Sequence, residues 1–170
     1  MSMIGYLMRV SPEQYDGLVS STLAPDEILP ESMYERASED LRSDPAIISL
    51  EKMWNALHFL FSGTAFECQG PLGDLILGGQ EIGDDMGYGP GRVLSVAEVQ
   101  DLNQKLSATP NAELRRRFQP AQLEAANVYP PVWDEPEEDL WGELAHYLER
   151  LRAIYSTAAK NGDALLLWVA

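Results

Sequence analysis

Apolar residues along this chain fall into short unbroken blocks near its two ends and longer stripes, spaced three and four residues apart, between them. The block at residues 3–10 is short, apolar and closed by Ser11-Pro12, which predicts a buried strand. The block at 164–169 is apolar at every position, as a strand buried on both faces must be. Ser11 is placed to cap a helix with Pro12 at its first position, where the missing N–H costs nothing, and Tyr15, Leu18 and Val19 give that helix its inner face. A second helix is predicted over 51–62, with Met53, Trp54, Leu57, Leu60 and Phe61 inward and Gly63 as its stop. Ser95-Val96-Ala97-Glu98 forms a capping box before a helix striped with Val99, Leu102 and Leu106. Shorter helices follow, one begun by Thr109-Pro110 and carrying Leu114 and Phe118, another over 120–127. The longest runs over 137–160, where Leu140, Leu144, Tyr147, Leu151, Ile154 and Ala158 mark the rhythm. Its first turn is acidic and Lys160 stands in its last, as the helix dipole favours.

The remaining segments are less regular. Residues 25–44 are acidic and polar, with helical pieces predicted around Met33, Tyr34, Ala37 and Leu41, and 47–50 reads as a short strand. Six of the 13 glycines lie between Gly78 and Gly91, which predicts an irregular loop. Tyr129-Pro130-Pro131-Val132-Trp133 is expected to be extended, because residues before proline avoid the helical region. Strands at both ends with helices between them predict a single domain over 1–170, α/β or α+β, with a small mixed sheet in predominantly helical surroundings. No internal repeat and no long linker divides it.

Length and charge narrow the function. At 170 residues the chain is long enough for one sizeable core. With 27 acidic and 12 basic residues the net charge is −15, and residues 1–90 carry −11 of it (15 acids, 4 bases). That balance argues against nucleic acid as a partner, since phosphate contacts need Lys or Arg, and against an anionic membrane surface. Arg115-Arg116-Arg117 is the sole basic cluster and reads as a solvated helix face paired with neighbouring acids. One cysteine, Cys68, excludes an intrachain disulfide and reads as a small buried hydrophobe. The apolar start is too short for a signal peptide and no stretch approaches the roughly 20 apolar residues of a membrane span, so a cytoplasmic protein is expected.

Chemistry-bearing patterns are sparse. Nucleotide-binding glycine motifs, H-E-x-x-H and G-x-S-x-G are all absent, so no cofactor, metal or catalytic set is assigned. His146 falls on the polar margin of the long helix. His58 stands among Leu57, Phe59, Leu60 and Phe61. It reads first as a satisfied core histidine, and second as a pocket histidine near Trp54 acting as a general base. The glycine-rich stretch holds Glu81, Asp84, Asp85 and Tyr88, which either pack an ordered loop onto the domain or grip a cationic group. Tyr129 and Trp133 either cover a core edge or line a groove.

Several of these segments together resemble one family. The opening Met3-Ile4-Gly5-Tyr6, the run from Lys52-Met53-Trp54 through Leu57-His58 to Phe61-Ser62-Gly63, and Gly78-Gly79 to Gly87-Tyr88-Gly89-Pro90 are similar to the YfbM-like family of small bacterial proteins. The segment from Tyr129-Pro130 to Trp133 and the apolar C-terminal strand fit the same pattern, so the resemblance covers nearly the whole chain. Glu51 stands where such proteins usually carry Asp. The resemblance implies a compact α/β domain and carries no activity, because the family is known as a domain of unknown function. Two functions follow as expectations. The first is a non-catalytic interaction protein whose acidic surface takes a basic protein partner, as immunity-type proteins do with basic toxins. The second is a small enzyme or small-molecule binder with a pocket between helix 51–62 and stretch 78–91, where Asp84 or Asp85 orients His58.

Overall fold

The computed structural model describes residues 2–30 and 46–170; the helical pieces expected around Met33, Tyr34, Ala37 and Leu41 lie outside them. Among the described residues five strands form one sheet: β1 (Gly5–Val10), β2 (Ile47–Glu51), β3 (Gln80–Asp85), β4 (Pro90–Leu94) and β5 (Ala164–Val169), in the order β2-β1-β5-β4-β3. Every pairing is antiparallel, so the fold is α+β and the expected mixed sheet is corrected. Hydrophobic patterning reports which residues are buried but not which way neighbouring strands run. The C-terminal strand takes the centre, with Leu167 opposite Leu7 on one side and Arg92 on the other. The ends of the described chain are tied beside it, Ile4 N–H donating to the Ala170 carbonyl at 2.7 Å.

The central position of β5 explains its unbroken apolar sequence. Leu165 and Leu167 face a large core with Leu7 and Leu94, built with α2 (Trp54–Ser62), α4 (Val96–Ser107) and α7 (Glu137–Asn161). Leu166 and Trp168 face a smaller core with Met8, Val10, Ile82 and Val93, covered by α1 (Pro12–Val19) and the chain around Leu23 and Ile28. On that face Tyr6 stacks on Trp168 with ring centroids 5.2 Å apart. The predicted caps form: Ser11 accepts from Gln14 N–H at the start of α1 and Ser95 from Glu98 N–H at the start of α4. Helices α3 (Asp74–Leu77), α5 (Asn111–Arg117) and α6 (Pro120–Ala125) complete the large-core side.

Two local expectations are corrected. The glycine-rich stretch is a hairpin, not an irregular loop, because Ile82 faces the small core while glycines absorb a bulge and a turn. Gly83 sits at φ 65°, where the β3–β4 register shifts. Gly87 and Gly89, at φ 137° and 103°, form the turn, and Asp85 Oδ1 accepts from both of their N–H groups. Residues 128–133 bend instead of extending: the Tyr129–Pro130 bond is cis and the Trp133 indole N–H reaches back to the Val128 carbonyl at 2.8 Å. No helix among the described residues is long and apolar enough to cross a membrane.

Candidate functional site

Helix α2 carries a polar seam through the large core. Trp54, Asn55 and His58 are all buried on it, and each hydrogen-bonds main chain outside the helix. The Trp54 indole donates to the Met3 carbonyl. The Asn55 amide donates to the Ala65 carbonyl at 2.5 Å, and its oxygen accepts from Tyr129 N–H at 2.9 Å. His58 Nε2 lies 3.1 Å from the Glu67 carbonyl. A carbonyl only accepts, so the proton resides on Nε2 and Nδ1 is a bare acceptor, buried with no partner among the described residues.

That environment fixes the charge state of the ring. Burial drives the His58 pKa down to about 4, outweighing the Glu67 hydrogen bond and the Asp74 carboxylate, both of which favour the imidazolium. His58 is therefore a neutral imidazole near pH 7, with 0% of its surface exposed and, among the described residues, its ring bonded only to the Glu67 carbonyl. A general base needs a path to substrate, and among the described residues this ring has no exposed surface. The pocket expected between helix 51–62 and stretch 78–91 does not open at Trp54 or His58, which are both buried. Segment 64–74 takes His58 through the Glu67 carbonyl, and its Cys68 thiol feels the charges of Asp74 and of Arg92 on β4.

Cys68 corrects a further expectation, since it is exposed on this segment rather than buried. Desolvation by its neighbours first, and then the Asp74 carboxylate, push its thiol pKa up, which leaves it a poor nucleophile. Trp133 is buried against Phe118, so it covers the core edge. Tyr129 is half-buried and its hydroxyl accepts from Met3 N–H. His146 is exposed as expected, and Arg115 pairs with Glu137 and Glu138 while Arg117 pairs with Glu113.

The hairpin candidates occupy a different surface from Trp54 and His58. Glu81, Asp84, Asp85 and Tyr88 are all exposed on β3 and its turn, with Glu81 held by Arg92. Asp85 is committed to the turn. Strand β3 packs beside α1, and Gly83 lies against the Pro25 ring of the 3-10 turn Pro25–Glu27. The exposed side chains of Glu13, Asp16, Asp26, Glu27, Asp84 and Asp85 thus come from adjoining elements. Those three elements contain no Lys or Arg, and none of the six carboxylates forms an ion pair among the described residues. On α1 an open cleft of about 630 Å³ is walled by Glu13, Asp16, Thr22, Leu23 and Ile28. No three His, Cys, Asp or Glu side chains among the described residues are grouped to hold a metal ion.

Asn55, Asp74 and Arg92 are the residues that sequence reasoning missed. A signal existed for Asn55, the one amide on a largely apolar helix. Nothing in the sequence pairs Asp74 with His58 or Arg92 with Cys68, because those proximities depend on how segment 64–74 folds across α2.

Comparisons with known proteins agree with this architecture. A crystal structure of YfbM from Escherichia coli, a protein of unknown function, superposes with a TM-score of 0.72 at 22% identity, covering 98% of this chain and 99% of that one. At that identity the likeness concerns the fold alone. Among curated proteins none matches. The family described as a domain of unknown function, DUF1877, matches residues 1–168, and the chain belongs to that family.

Proposed function

We propose that this protein is a non-catalytic interaction protein that docks a basic protein on the carboxylate face formed by α1, the Pro25–Glu27 turn and β3. The observation that carries this reading is the run of six exposed carboxylates from adjoining elements that contain no base, none of them in an ion pair among the described residues. A concentration of negative charge without neighbouring bases attracts a cationic surface. The net charge of −15 extends the same field and speeds encounter with a basic partner. Neutralising a basic toxin, in the manner of immunity proteins, is one role that such a surface fits. The histidine named for the competing enzyme reading, His58, is buried and bonded to the Glu67 carbonyl, which favours the interaction reading.

The test is retention of lysate proteins from the source organism on the immobilised protein, eluted with rising salt. The reading expects a basic protein released as ionic strength passes the physiological range, where the screening length is about 8 Å. Retained proteins of neutral or acidic character, or retention indifferent to salt, contradict it.

A further inference from the structure

We draw no further inference here: the strongest candidate, the open cleft on α1 walled by Glu13, Asp16, Leu23 and Ile28, adds to an acidic cluster that already belongs to the proposed docking face, and nothing in the structure shows what covers it.

Discussion

Asn55 accepts a hydrogen bond from the backbone of Tyr129, 74 residues away in sequence, while its amide donates to Ala65. One buried side chain therefore fastens two irregular segments to α2. Hydrogen bonds of this kind contribute little net stability when made, yet losing one partner strands the other in a dry environment. Asn55→Ala leaves the Tyr129 N–H and the Ala65 carbonyl without that partner, and is expected to cost about 2–3 kcal/mol in urea unfolding. A loss below about 0.5 kcal/mol, the range of a neutral surface change, contradicts the structural role assigned to the seam.

His58 gives the fold a pH signature. Its pKa of about 4 lies below the ordinary 6.5, so between these values the unfolded chain binds a proton that the folded one refuses. Stability therefore falls as pH drops from 6.5 towards 4, with a limiting slope of about 1.4 kcal/mol per pH unit from this residue. The variant His58→Gln cannot titrate, so comparing its pH profile with the wild type cancels the contribution of the carboxylates. The difference between the two proteins should change steadily across that window. A constant difference, or a His58 imidazole that titrates near 6.5 by NMR, contradicts the buried neutral ring.

The central strand makes the sharpest stability prediction. Leu166 is fully buried between β1 and β4, and Leu166→Ala is expected to cost about 2–5 kcal/mol. Removing residues 165–170 takes out the strand on which β1 and β4 both pair, and should abolish the cooperative thermal transition. A truncated protein that still melts cooperatively contradicts the central placement of β5.

Regular periodicity made most of the elements readable. Leu140 to Ala158 repeats every three or four residues, and 164–169 has no polar position at all, so α7 and β5 follow from sequence alone. The hairpin was hidden because β3 is an edge strand with only Ile82 turned inward. Its remaining positions are acids, a glutamine and a glycine, which carry no alternating apolar signal. Proline limits the residue before it without fixing where the chain goes next, and the Trp133–Val128 bond turns the chain there. For the site, the sequence offered Trp54 and His58 as a pair on one helix, which they are. Whether a side chain on α2 meets solvent or a backbone carbonyl depends on segment 64–74, whose path no local pattern encodes.

The most direct test of the docking face is a charge-reversal comparison on the partner recovered by salt elution. One variant carries Asp16→Lys and Asp84→Lys on the proposed face; its control carries Glu124→Lys and Glu143→Lys, also exposed but on α6 and α7. Both change net charge equally, so association kinetics separate a local surface from the overall field. The account predicts that the first variant slows association by about tenfold or more at low salt while the control stays close to wild type. Equal losses in the two variants, or none in either, would contradict it.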